Sequence, residues 1–211
     1  TFTQDYTDMV TVKAADGADA VFNTVRFSEA SHIRLEGVKV YPTTTQYKIV
    51  EVEKGNHSDH IELVGLHVRG PEGTTSGHGI YLHHGSDTLV QDNLVEWVDV
   101  GITHFHVDRI KVLENTVDYI NSDSFKFSGI QGGLIENNWG ARHLPTSEGH
   151  QDFIQFQGGT ESGHSRDIII RGNVSMPLDG GQDVTIQGIW NGEADGENIL
   201  IENNIVFAGI P

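Results

Sequence analysis

One internal register recurs along this chain and restricts the folds open to it. It reads Ile110-x-Val112-x-x-Asn115-x-Val117, Ile168-x-Ile170-x-x-Asn173 and Ile199-x-Ile201-x-x-Asn204-x-Val206. Looser copies end in Asn93 and Asn138, and earlier copies place Val38 and Leu66 where the Asn stands. The register positions 38, 66, 93, 115, 138, 173 and 204 are 28, 27, 22, 23, 35 and 31 residues apart. Apolar alternation with period two indicates strands, and recurrence every few tens of residues indicates a solenoid.

A second strand precedes each copy. Val25/Phe27, Ile80/Leu82, Ile102/His104 and Phe125/Phe127 each lie six residues before the next apolar pair, while Ile154/Phe156 and Val184/Ile186 are followed by longer connections. Each coil is therefore expected to be strand, turn, strand and a variable link. Helical periodicity is missing, which disfavours leucine-rich and ankyrin-type repeats. The expected fold is all-β: a right-handed parallel β-helix of about seven coils with an Asn ladder. Residues 1–24 fit the register poorly and are expected to cap the first coil. Residues 25–211 form the solenoid, whose last half-coil calls for further chain or a partner to cover it. The Asn column reads as structural, because an amide can bond coils above and below.

Composition narrows the function classes. Net charge is −17, which argues against nucleic acid as a partner. No apolar run is long enough to span a bilayer, and with no Cys there are no disulfides. An acidic, Cys-free, Gly-rich chain suits an extracellular or virion-surface setting. Calcium is the cofactor such a chain could use, and the acidic stretch Glu193-Ala194-Asp195-Gly196-Glu197 offers hard oxygen ligands.

The register also sorts side chains by face. If the strand pairs point inward, one outward column is Arg26, Glu51, Tyr81, Thr103, Lys126, Gln155 and Thr185. The next is Ser28, Glu53, His83, Phe105, Ser128, Gln157 and Gln187. Aromatic faces stack on sugars, and Gln and Ser bond hydroxyls, so this stripe suits a linear glycan. Phe105, Ser128, Gln155, Gln157 and His150 are the expected substrate contacts.

The repeats resemble the right-handed parallel β-helix proteins of the pectate-lyase-like superfamily. That group spans polysaccharide lyases, polygalacturonase-type hydrolases, alginate epimerases and phage tailspike depolymerases. The segment Gly149-His150-Gln151-Asp152-Phe153-Ile154-Gln155-Phe156, followed by Asp167-Ile168-x-Ile170-x-x-Asn173, looks like a signature of bacterial β-helix repeats. The resemblance implies an acidic polysaccharide as partner, and a homotrimer would fit a tailspike.

Three chemistries follow. A lyase acting on a uronic acid must neutralise a carboxylate, remove the C5 proton and protonate the leaving oxygen. Lys126, Arg142, His143, Tyr81 and His83 can supply these roles, with Arg142, His143, Glu148 and His150 expected on a loop walling the groove. The pairing of a strand Lys with a loop Arg is similar to some β-helix alginate lyases, although Gln155 stands where those carry Arg on the next strand. Asp123 and Asp152, stacked on adjacent coils, are alternatively a hydrolytic acid pair, a cation site or turn caps. The third outcome is a glycan adhesin or tail-fibre module with no catalytic set. His84 and His106 share a column and could ligate a metal, but His104 falls at a core position, which favours structural histidines.

Overall fold

The computed structural model describes residues 1–53, 58–71, 73–144, 151–158, 163–176, 186–192 and 196–207. Among them every named element is a β-strand, and every named strand pairing is parallel. The chain is a parallel β-helix solenoid with three strand ladders rather than the expected two. The first ladder stacks Asp5–Lys13, Ser31–Glu36, Ile61–Val64, Leu89–Gln91, Asp108–Leu113, Gln131–Glu136, Arg166–Arg171 and Glu197–Glu202. The second stacks Val21–Phe22, Lys39–Val40, His67–Arg69, the start of Leu94–Phe105, Thr116–Ile120, Trp139–His143, Val174–Ser175 and Ile205–Val206. The third stacks Val25–Phe27, Lys48–Val52, Ser76–His83, the end of Leu94–Phe105, Phe125–Ser128, Gln151–Phe156 and Ile186–Asn191. Strand Leu94–Phe105 runs unbroken through the second and third ladders and fuses them into one sheet.

Asp5–Lys13, expected within a cap, is the edge strand of the first ladder, with Val10 opposite Ile33 and Val12 opposite Leu35. The core is the stack of inward side chains, Leu35, Leu63, Val90, Val112, Ile135 and Ile170 among them, all fully buried. The predicted strand pairs from Val25/Phe27 to Ile154/Phe156 are buried as expected. Val184 lies outside the described residues.

The Asn column is bonded along its length. Asn115 Oδ1 accepts from the backbone and side-chain N–H groups of Asn93 at 3.1 and 2.9 Å. Asn115 Nδ2 donates to Val90 O and to Asn138 Oδ1 at 2.8 and 3.0 Å. The same pattern links Asn138 to Asn173 and Asn173 to Asn204. Leu66, the apolar member, still donates its N–H to Asn93 Oδ1. The left-handed bend belongs to the preceding residue, not to the Asn. Asp92, Glu114, Asn137 and Asn203 hold φ between 55° and 57°, and Gly37, Gly65 and Gly172 occupy the same place on other coils.

Candidate functional site

The outer face of the third ladder carries the polar column predicted from the register. Glu51, Tyr81, Thr103, Lys126 and Gln155 lie opposite one another on successive strands, each rung roughly 4.8 Å from the next. The column then continues through Trp190, not Thr185, because Gln155 pairs with Trp190 and Asp152 with Gln187. Gln187 therefore leaves the second column. Ile186 was expected opposite Phe156 but pairs with Gln151, so the row falls later in the chain.

A companion column stands three residues upstream. Lys48, His78 and Val100 are in register, and Asp123 and Asp152 continue it, since Phe125 pairs with Ile154. Alternation would turn these residues inward, but it slips at this point. Ile49 and Val50 are consecutive and both fully buried. The result is a series of i, i+3 contacts on the outer face. Lys48 Nζ lies 2.6 Å from Glu51. The His78 and Tyr81 rings meet at 4.9 Å. Lys126 Nζ lies 3.2 Å from Asp123 Oδ2. Gln155 Nε2 donates to Asp152 Oδ2 at 2.7 Å. Cross-strand bonds join the series: His78 Nδ1 is 2.8 Å from Thr103 Oγ1, and the Asp152 N–H donates to Asp123 Oδ1 at 3.2 Å. Gly101 makes the close strand approach possible, because a Cβ there would fall 2.4 Å from Ser124 O.

These side chains cover one another. Tyr81, Thr103, Gln155, Asp123 and Asp152 are buried, while Lys126 and His78 keep some exposure. Burial sets their proton affinities. His78 is pulled down to about 4, first by desolvation and then by the Lys126 and Lys48 ammonium charges, so its imidazole is neutral at neutral pH. The Tyr81 phenol is pushed up to about 12 by burial, with Tyr47 and Glu51 adding to it, so it keeps its proton. Burial raises Asp99 as well, opposed by a hydrogen bond from Asn121 and reinforced by the Asp123 charge.

The predicted residues divide in space. Tyr81, His83 and Phe105 meet edge-on, with Tyr81–His83 at 5.8 Å and Tyr81–Phe105 at 5.7 Å. Ser128 follows Phe105 in register but is buried, and Gln157 is exposed beside it. Arg142 and His143 do not lie on a loop. They end strand Trp139–His143 of the second ladder. Arg142, at φ 46°, directs its guanidinium to Asp118, with Nε 2.7 Å from Oδ1, and over the Tyr119 ring at 4.3 Å. The Asp118 carboxylate on the neighbouring strand Thr116–Ile120 claims it, so it is not paired with Lys126. His143 is buried with Nε2 3.3 Å from Ser124 Oγ, and desolvation lowers it to about 4. His150, Glu148 and Glu193 to Asp195 lie outside the described residues. The His84 and His106 rings are neighbours as the register expects, 5.0 Å apart and tilted by 37°. Among the described residues no group of three His, Asp or Glu side chains is placed to hold a metal ion. His104 is a core residue, in register with Leu82 and Phe127.

His78 is the member that column sorting missed. Its signal was present: it precedes Tyr81 by the same three residues that separate Asp123 from Lys126 and Asp152 from Gln155. Concavities of about 630 and 710 Å³ lie elsewhere, along the edge where the third ladder turns into the first, lined by residues such as His106 and Arg166 or His32 and Asp87. They hold none of the third-ladder column.

No protein-family model matches this chain, and no curated protein matches it by sequence. Among solved structures it is similar to an alginate lyase from Paenibacillus sp. str. FPU-7, with TM-score 0.52 and 14% identity, covering 94% of this chain and 74% of that one. It is also similar to the surface protein and adhesin PfbA of Streptococcus pneumoniae, with TM-score 0.50 and 12% identity over 93% of this chain. The chain spans 64% of the adhesin's length. At such identities the likeness is one of fold: this chain shares their architecture of stacked parallel coils.

Proposed function

We propose that the third-ladder face binds a linear uronate-containing glycan outside the cell or on a virion surface and cleaves it by β-elimination. One observation carries this reading. A cation, a neutral imidazole and a protonated phenol share three adjacent rungs, with His78 and Tyr81 on the first, Thr103 on the next and Lys126 on the third. The Lys126 ammonium, steadied by Asp123, pairs with the C6 carboxylate and acidifies the C5 proton. Nδ1 of His78 bonds the Thr103 hydroxyl, and with the ring proton on Nδ1 the Nε2 lone pair takes the C5 proton. The electron pair forms the C4=C5 double bond as the C4–O bond breaks. Tyr81 gives its phenolic proton to the departing oxygen, and solvent returns a proton from His78 to Tyr81. The occurrence of an alginate lyase on this fold supports the architecture as one that admits such chemistry.

Incubation with alginate, pectate and bacterial exopolysaccharides tests the reading through the ultraviolet absorbance of the unsaturated product. Lys126→Ala is expected to lower kcat/KM by about 10²–10³ and Tyr81→Phe by about 10²–10⁴. Full activity in both variants would overturn it. New reducing ends without absorbance would instead favour hydrolysis through Asp123 and Asp152. Binding with neither product would leave an adhesin.

A further inference from the structure

A hydrogen-bonded chain of side chains crosses the second ladder, apart from the floor just described. Tyr41 Oη lies 2.5 Å from His67 Nδ1, and His67 Nε2 lies 2.7 Å from Glu96 Oε2. Three successive coils supply them. Tyr41 follows Lys39–Val40, His67 opens His67–Arg69, and Glu96 lies in Leu94–Phe105. All three are half-buried, within reach of solvent. The carboxylate of Glu96 can only accept, so Nε2 of His67 donates to it. Nδ1 shares a hydrogen bond with the Tyr41 hydroxyl, which fixes where the phenol oxygen stands.

Arg69 lies over the same phenol, its guanidinium carbon 5.0 Å from the ring centroid. Arg26, Arg34, Arg109, Arg142 and Arg171 each pair with a carboxylate. Arg69 has no such partner among the described residues. Glu96, opposite Arg69 in register, is bonded to His67 instead, so in a chain of net charge −17 this half-buried guanidinium, held on an aromatic face and paired with no carboxylate among the described residues, is placed to take an outside anion. The fork of donors stands next to the Tyr41 hydroxyl.

We infer that Arg69 and Tyr41 form a second binding site, for a carboxylated sugar. The Arg69 fork holds the carboxylate, and the Tyr41 hydroxyl, positioned by His67 and Glu96, bonds a neighbouring hydroxyl of the sugar. A neutral sugar satisfies only half of this pattern. The segment from Tyr41 leads on to Tyr47, whose ring stands 5.6 Å from His78. The second site and the third-ladder floor thus flank one connection. This site does not depend on cleavage at Lys126.

The Lys126→Ala variant separates the two. Trigalacturonate and trimannuronate are titrated into it, with their carboxyl-reduced counterparts as neutral controls. Affinity is read by calorimetry and the His67 ring signals by NMR. Acidic oligomers are expected to bind and to shift the His67 signals, and neutral ones to do neither. Adding Arg69→Ala is expected to weaken binding about tenfold to a hundredfold, the loss of a charge-assisted pair. Arg69→Lys, which keeps charge but not the fork, should fall between, and it decides the matter if Arg69→Ala does not fold. Unmoved His67 signals, or affinity unchanged by both Arg69 variants, would overturn the inference and leave a purely structural network. An absence of lyase activity in the wild type would not, since the measurement uses a variant disabled at Lys126.

Discussion

His104 occupies a rung between Leu82 and Phe127 in the core, fully buried, its ring 5.7 Å from that of Phe127. Neither ring nitrogen has a hydrogen-bond partner among the described residues. Burial alone drives its proton affinity down to about 3, so the ring is neutral in the folded state. The unfolded chain binds a proton near pH 6.5 while the folded one does not. Stability is therefore full above that value and is lost as pH falls from it toward about 3. His78 and His143, each lowered to about 4, act in the same sense. His104→Leu is expected to raise stability by about 1–2 kcal/mol by removing two unpaired polar atoms, and to flatten the acid limb of a denaturation series run against pH. A variant less stable than wild type at neutral pH would contradict this account. The core position of His104 was legible in the sequence, because it shares a column with Leu82 and Phe127. The role of His78 showed only in its three-residue spacing from Tyr81. Strand parity sends it inward, and only the slip at consecutive buried residues turns it to the outer face.

At the scale of elements, the Asn ladder is a hydrogen-bonding device rather than a binding one. Asn115 satisfies the N–H and side chain of Asn93 on one side and Val90 O and Asn138 on the other. Asn115→Ala leaves several of these groups buried and unpaired, and is expected to cost about 2–4 kcal/mol in chemical denaturation. Lys111→Ala, on the exposed side of the neighbouring strand, should stay within about 0.5 kcal/mol. Equal effects would mean that the ladder contributes nothing special. The first and third ladders were readable because their strands hold two or more alternating apolar residues. Much of the second was not, since Val21–Phe22, Lys39–Val40, Val174–Ser175 and Ile205–Val206 are two residues long. A two-residue strand shows no period, and only neighbours above and below reveal it. Arg142 and His143 were misplaced for a different reason: strand Trp139–His143 carries no alternating pair of large apolar residues and reads as part of the connection that follows it.

Over the whole molecule, charge sets how an acidic glycan can approach. A net charge of −17 repels a polyanion at long range, whereas Lys126 and Arg69 attract at contact. Screening shortens the reach of repulsion from about 30 Å at 0.01 M salt to about 8 Å at 0.15 M. Cleavage of polymeric uronate should accordingly show kcat/KM rising as salt is added over that range, with little change for a short neutral glycan. A fall in kcat/KM over the same range would mean that local cations dominate, contrary to this view. The sequence by itself determined the repeat, the inward columns, the Asn ladder and the outward row Tyr81–Thr103–Lys126–Gln155, because stacking identical coils converts spacing directly into position. Only the tertiary structure decided which residues join that row. It placed His78 and Asp123 beside it, gave Arg142 to Asp118, put Trp190 where Thr185 was expected, and brought Tyr41, His67 and Glu96 into one chain across three coils. Those contacts depend on where parity slips and how long each connection runs, and neither quantity is carried by the repeat.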